Sequence, residues 1–505
     1  MSNSKYDLGN GIHRVPLWRI AGYALNNTAT NIYLCMIGYV AYYLTGFVGV
    51  GVVLAGSFSM IMRIWDGVTD PFVGLLVDKT NGKFGKNRPF MVIGNVILAV
   101  TSFIMFHVTH LLPMGFRLIF FFFISALYYI GYTCQCVVTK SAQSCITNDP
   151  KQRPLFSIFD GCYNMVLFMV MQMWVSGPLA TKYGKLADTG LFHELWLVTA
   201  ILSAIFTVIA IISIAPKDNS KYFGTGKPMK IGFKDYFDVL AHNRAIQMLV
   251  LSASTDKLGS SARTSTATLI MYGIVVGNYA LSGGFSMYTT IGNLVFLVIG
   301  LGVIATRLGQ RRAMMIGSWG GLIGNVILVC LWLFGDPKTL ALPGYDGFHG
   351  WTFFTLALLV ITIVTYGFQN VAGSIVIPMT ADCADYETYR TGRYVPGLMG
   401  TLFSFVDKMV SSLAPMIASI ALAIIGFKET MPDVDTPYSD SLKYVGIFLT
   451  YGVIILGLLV NVIAMKFYPL TKEKMAEIQD KIAEIKAKAL SGEDEAAATV
   501  AAEEL

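Results

Sequence analysis

Runs of about twenty apolar residues recur along nearly the whole chain, and no other feature constrains the fold as tightly. At 1.5 Å of rise per residue, a helix of roughly 20 such residues crosses the hydrocarbon of a bilayer. The runs fall at 18–44, 50–77, 90–112, 115–147, 155–180, 193–215, 243–277, 284–306, 313–335, 351–379, 398–427 and 441–467, which makes twelve spans. They are continuous, whereas the strands of a membrane barrel alternate over about ten residues. Only 13% of the 505 residues are charged. A soluble domain carries roughly 25%, so this chain has too little polar surface to be wrapped by water. The expected fold class is an all-α polytopic membrane protein.

The first twenty residues are polar and lack an apolar core with a small-residue cleavage site, so the first span is expected to act as an uncleaved insertion signal. Lys and Arg gather in alternate loops, which orients the chain. With the N-terminus cytoplasmic, the inward loops hold Lys79, Lys83, Lys86 and Arg88, then Lys151 and Arg153, then Lys217 through Lys234, then Arg307, Arg311 and Arg312, then Arg390 and Arg393. The outward loops hold mainly Lys182, Lys185, Lys338 and Lys428. Both termini are expected in the cytoplasm and the protein in the cell membrane. The net charge of +6 follows from this asymmetry and calls for no nucleic acid. The seven cysteines lie almost all in apolar spans, Cys134 and Cys136 lack further zinc ligands nearby, and the six histidines form no cluster in sequence. No cofactor is expected beyond a coupling Na+ or H+, and the protein is expected to be a monomer.

The longest hydrophilic break, 216–242, divides the spans six and six. Transporters built from repeats show such a division, with the substrate between the halves near mid-membrane. The expected organisation is an N-terminal six-helix bundle over 1–216, a central cytoplasmic loop over 217–242, a C-terminal six-helix bundle over 243–468 and a tail over 469–505. Gly82, Gly85, Lys86 and Arg88 after the second span are echoed by Gly309, Arg311 and Arg312 after the eighth. In the tail, Met475, Ile478, Ile482 and Ile485 recur at three- and four-residue steps, the pattern of an amphipathic helix lying on the membrane or against cytoplasmic loops. The acidic end beyond it has the composition of a disordered segment.

Ionisable groups inside spans are the informative residues, because each costs several kcal/mol in hydrocarbon unless it faces a cavity or a partner. In the second span Arg63, Asp66 and Asp70 share a helix stripe, and Pro71 follows. Two carboxylates four residues apart can hold a hard cation such as Na+, or share a proton because both resist ionising together. A packing network with Arg63 is the other reading. In the eleventh span Lys408 is placed to pair across the halves with Asp66 or Asp70, or else locally with Asp407. Asp256, Lys257 and Arg263 share the seventh span, and Lys140 and Asp160 lie in the fourth and fifth. Polar stripes run through Tyr23, Asn27 and Thr30, through Tyr128, Tyr132, Gln135 and Thr139, and through Tyr366 and Asn370. Such mixtures of aromatic faces, amides and hydroxyls bind sugars, and they also glue helices together.

Arg63-Ile-Trp65-Asp66, Asp70-Pro71 and Gly74, followed by Gly85-Lys86-Asn-Arg88-Pro89, resemble the glycoside–pentoside–hexuronide:cation symporter family, the melibiose-carrier branch of the major facilitator superfamily. Ala384-Asp385-Tyr386-Glu387, Tyr389 and Thr391-Gly392, leading to Lys408, resemble it as well; the likeness spans about 20–467. It implies a twelve-helix fold of two bundles with alternating access, and sugar uptake driven by Na+ or H+. It implies cation coordination by Asp66 and Asp70, with Thr69 at a neighbouring polar position, Tyr132 in place of a threonine, and Lys408 as the lysine near the site. The pattern departs where melibiose carriers hold galactosyl hydroxyls. Thr30 and Gln135 stand in place of acids there, and Asp160 in place of an arginine. Lys140, Lys257 and Arg263 offer partners for a substrate carboxylate, so glycosides and uronides both remain open. A proton-driven exporter of amphipathic compounds and a transporter-like sugar sensor are the alternatives. No nucleophile–base pair, metal constellation or phosphate loop points to an enzyme.

Overall fold

The computed structural model describes residues 14–80, 82–147, 152–219, 233–300, 309–343, 351–391, 396–471, 473–478 and 480–481. Much of the central loop, the loop holding Arg307 and the tail from Ile482 onward lie outside the described residues. So do the side chains of Lys79 and Lys140.

The regular structure of the described residues is all helix, apart from an isolated bridge between Gly82 and Gly85. Six helices form the first bundle: α1 (Leu17–Val48), α2 (Val52–Lys79), α3 (Arg88–Leu111), α4 (Met114–Ser141), α5 (Arg153–Trp174) and α6 (Thr189–Ile214). After a short amphipathic helix, Phe233–His242, the second bundle follows. It comprises α7 (Arg244–Ala262), α8 (Ala280–Gly300), α9 (Gln310–Phe334), α10 (Phe353–Thr391), α11 (Pro396–Ser411, continued by Ala414–Ile424) and α12 (Asp440–Phe467).

Among the described residues, ten helices are long and apolar enough to cross a membrane, and the bent pair Ser265–Val276 and Ala280–Leu294, with 116° between its arms, is an eleventh candidate. The expected span 243–277 is broken at Arg263–Thr264, where α7 ends and Ser265 begins a new segment. The reason is chemical. α7 carries Asp256, Lys257 and several serines, so it is too polar to cross bare lipid, and it is held among other helices instead. The far ends of α1 and α3 widen into π turns, as do the segment Ser265–Val276 that follows α7 and the first half of α12. Such turns free backbone carbonyls and mark places where helices are locally adjustable.

Small residues let helices touch, as expected where lipid supplies no hydrophobic drive for association. A Cβ at Gly259 would lie 2.5 Å from the Cα of Ile454, so α7 and α12 meet backbone to backbone. At the end that holds Val15, Gly85 takes φ +84°, and Asp218 accepts from the amides of Lys86 at 3.1 Å, Asn87 at 3.1 Å and Arg88 at 3.0 Å. The basic loop between α2 and α3 is thereby tied to the end of α6. The tail also docks: Ile478 is fully buried in the cluster that holds Val239, Met379 and Cys383, and Tyr389 reaches Glu477.

At the opposite end the two bundles touch. Val52 donates its amide to Lys428 O at 2.8 Å, and Ser265 Oγ donates to Gly38 O at 2.8 Å. Asp433 accepts from the amides of Leu186 at 2.9 Å and Ala187 at 3.0 Å. Histidines scattered in sequence meet at this end too: His107 stacks on His193 with 3.9 Å between ring centres, and His110 packs beside them.

Candidate functional site

Mid-bundle, the four-residue spacing puts Asp66 and Asp70 on the same face of α2, and that face looks at α11 of the other bundle. Lys408 Nζ lies 2.5 Å from Asp70 Oδ2 and 3.1 Å from Asp66 Oδ2, so one ammonium bridges both acids. Asp66 has no exposed side-chain surface, whereas Asp70 keeps 27% and Lys408 20%. Arg63 is only at the edge of ion-pair range, 4.0 Å from Asp66, and lies beside the phenols of Tyr129 and Tyr132. The acids are therefore not locked onto Arg63. Asp407, next in sequence to Lys408, turns away and pairs with Lys257 at 2.6 Å.

The hydroxyl that reaches the acids belongs to Thr133, one residue beyond Tyr132. Its Oγ1 lies 3.0 Å from Asp66 Oδ1, 2.9 Å from Tyr129 O and 2.9 Å from Thr69 Oγ1. Thr69 Oγ1 in turn lies 3.0 Å from the Asp66 carbonyl. A hydroxyl has one proton and two lone pairs, so these oxygens are left with spare acceptor capacity. Two carboxylates and two hydroxyls in one place are the hard oxygen donors that an alkali cation takes.

A cavity of about 690 Å³ lies between α5 on one side and α7, α8, α10 and α11 on the other. Asp256, Arg263, Tyr366, Asn370 and Asp407 line it, and so do Lys257, Asn293 and Gln369. Arg263 is clamped: its Nε donates to Thr450 O at 2.7 Å and its Nη2 to Asn325 Oδ1 at 2.9 Å, and its guanidinium sits 4.5 Å above the Tyr366 ring.

The polar stripes of the first bundle spend their hydrogen bonds inside the bundle, Tyr23, Tyr128 and Gln135 on neighbouring helices and Thr30 and Thr139 on carbonyls of their own helix. Tyr23 donates to Val138 O at 2.7 Å, Tyr128 to Tyr33 O at 3.3 Å, Thr30 to Asn26 O at 3.0 Å, and Gln135 to Met91 O at 2.7 Å. Thr139 donates to Gln135 O at 2.9 Å. Asp160 accepts from Asn27 at 2.8 Å and from Asn164 at 2.9 Å, a network joining α1 to α5. Thr133, Asn293 and Gln369 were not singled out from the sequence. Asn293 was visible as a lone amide inside an apolar run, and Gln369 as the neighbour of Asn370.

The family described as MFS/sugar transport protein matches residues 21–472. Among curated proteins, the chain is 25% identical over 473 residues to the glucuronide carrier protein homolog of Escherichia coli K12, covering 91% of this chain and 94% of that one. It is 22% identical over 487 residues to the isoprimeverose transporter of Lactiplantibacillus pentosus, covering 94% of each. Among solved structures, a mutant of the nucleoside transporter NupG is similar in fold at TM-score 0.59 and 12% identity, covering 90% of this chain and all of that one. Two helical bundles, buried acids at their junction and a match over most of the length agree: this chain belongs to the MFS/sugar transport family, in its glycoside–pentoside–hexuronide:cation symporter branch, and is a transporter rather than an enzyme.

Proposed function

We propose that the protein imports a sugar or glycoside by symport with Na+ or H+, with Asp66 and Asp70 as the coupling site and the cavity beside α7 and α10 as the sugar's path. The observation that carries this is Lys408, whose ammonium sits between the two acids from the opposite bundle. A cation entering that place must displace it. Displacement loosens a tie between the bundles while the ion neutralises the acids, so ion binding and bundle movement become one event. At an effective dielectric of about 20, each of these ion contacts is worth on the order of 4 kcal/mol before desolvation. That is enough to bias an alternating-access equilibrium, since 5.5 kcal/mol takes one from roughly 1:99 to 99:1.

Positive loop charge supports cytoplasmic termini. The end at which Asp433 and Lys428 join the bundles then faces outward. The relatives named for glucuronide and isoprimeverose carriage support a glycoside as the cargo.

The test is labelled-glycoside uptake by proteoliposomes under imposed Na+ or H+ gradients. One gradient is expected to drive accumulation in wild type and to fail in Asp66→Cys. Uptake indifferent to both gradients, with Asp66→Cys behaving as wild type, would remove the coupling role of the acids.

A further inference from the structure

On the outside of the second bundle, α9 and α10 leave a groove of about 610 Å³, lined by Arg312, Met315, Ile316, Trp319 and Gly320 of α9 and by Phe368 of α10. At Gly320 the Phe368 ring occupies the place a Cβ would take, so the two helices meet closely and the groove runs beside that contact. Ile316, Trp319, Ile323 and Ile327 are exposed large apolar side chains of α9, set three and four residues apart on one face. In a membrane such a face meets acyl chains. The groove differs from bare apolar surface by two polar groups.

Arg312 is exposed, and among the described residues its guanidinium meets neither an acid nor any other acceptor. The first turn of α9 holds no acid either. Arg311, about 100° round the helix, is spent on α12, donating to Met465 O and Lys466 O at 3.0 Å each. Those carbonyls are neutral, so the end of α9 keeps two positive charges. Trp319 is 46% exposed, and its indole N–H also finds no acceptor among the described residues. It sits seven residues beyond Arg312, about 10 Å further along the helix at 1.5 Å per residue. That depth is below the headgroups, where an unpaired N–H is costly. The groove therefore asks for an anion at its mouth, a carbonyl deeper in, and a hydrocarbon chain.

We propose that this groove holds one phospholipid of net negative headgroup, with its phosphate on Arg312, an ester carbonyl accepting from Trp319 Nε1–H and an acyl chain against Ile316 and Phe368. The two charges at the end of α9 disfavour the ammonium of a zwitterionic headgroup. A second copy of the chain fits less well, because no acid lines the groove and a twofold contact would bring Arg312 against Arg312. The lipid lies in the leaflet that the loop charges assign to the cytoplasm. Its site is separate from the acids of α2 and from the cavity between the bundles.

The test is fluorescence quenching in vesicles that hold the purified full chain, by brominated phosphatidylglycerol or brominated phosphatidylcholine in a phosphatidylcholine background. Emission of wild type less that of Trp319→Phe isolates the signal of Trp319. Phosphatidylglycerol is expected to reach Trp319 with about fivefold higher affinity than phosphatidylcholine, the factor one basic group contributes at an anionic lipid surface. Arg312→Gln is expected to bring that ratio close to one, and Arg312→Lys, which keeps the charge, to retain most of it. Should Arg312→Gln misfold, raising the salt concentration on wild type serves instead, since screening is expected to lower the ratio. Equal quenching by the two lipids, as ordinary boundary lipid gives, would overturn the site. So would a ratio that neither Arg312→Gln nor salt moves. Protection of Trp319 from both lipids would overturn it too, and a dimer by light scattering would then place a second copy in the groove. None of these outcomes touches the symport reading, because neither sugar nor gradient enters the measurement.

Discussion

Lys408 and Thr133 shape the proposed coupling site as much as the acids do. The acids announce themselves, because two carboxylates in an apolar run have no cheap explanation. Thr133 does not. Whether position 132 or 133 of α4 points at α2 depends on the rotational phase of two packed helices, which tertiary contacts set and which sequence spacing leaves undetermined. The pair provides its own check. Thr133→Ala removes a hydrogen bond to the Asp66 carboxylate, worth about 1.5–3 kcal/mol, so about a tenfold or greater change in cation affinity is expected. Tyr132→Phe, whose hydroxyl faces Arg63, is expected to stay within twofold. Sodium-dependent thermal shifts of the two purified variants measure the difference. The same difficulty explains the first-bundle stripes. A stripe that glues helices and one that lines a cavity share their composition and spacing, and Tyr23, Thr30 and Gln135 all turn toward neighbouring backbone carbonyls.

At the scale of elements, apolar length alone located most spans within a few residues, since the bilayer imposes that length directly. It erred at α7, where the chain breaks at Arg263–Thr264 because a helix holding Asp256 and Lys257 is shielded by other helices and need not be apolar. That shielding is close: Gly259 has no room for a side chain against Ile454. Gly259→Val is therefore expected to lose 1–3 kcal/mol, the usual cost of overpacking, and to lower the melting temperature in detergent. Gly277→Ala, in the turn before α8, is the contrasting control: nothing lies within 4 Å of its would-be Cβ, and its strain comes only from φ +90°.

For the whole molecule, the contacts that matter are those between bundles. Lys408 ties them at the centre, and Asp433 ties them at the end that holds Lys428 by accepting the amides of Leu186 and Ala187. Hydrogen bonds to a charged acceptor contribute about 1.5–3 kcal/mol. Asp433→Ala is thus expected to speed amide exchange at Leu186 and Ala187 tenfold or more and to shift the protein toward its outward-open form. The tail belongs to the second bundle through Ile478, which is fully buried. Ile478→Asp is expected to lower thermal stability while leaving gradient-driven uptake intact; loss of a signalling output with uptake unchanged would instead favour the sensor alternative. Neither Asp433 nor Asp218 was legible beforehand, because each is a loop acid whose partners are backbone amides that carry no sequence signature.

The central claim is that one ammonium and one coupling ion compete for the same two carboxylates. The affinity of purified Lys408→Met for Na+ and for protons, set against that of wild type, tests it most directly. With the competitor gone and the acids still four residues apart, the variant is expected to bind its coupling ion at least tenfold more tightly. Unchanged or weaker binding of both ions would contradict the account.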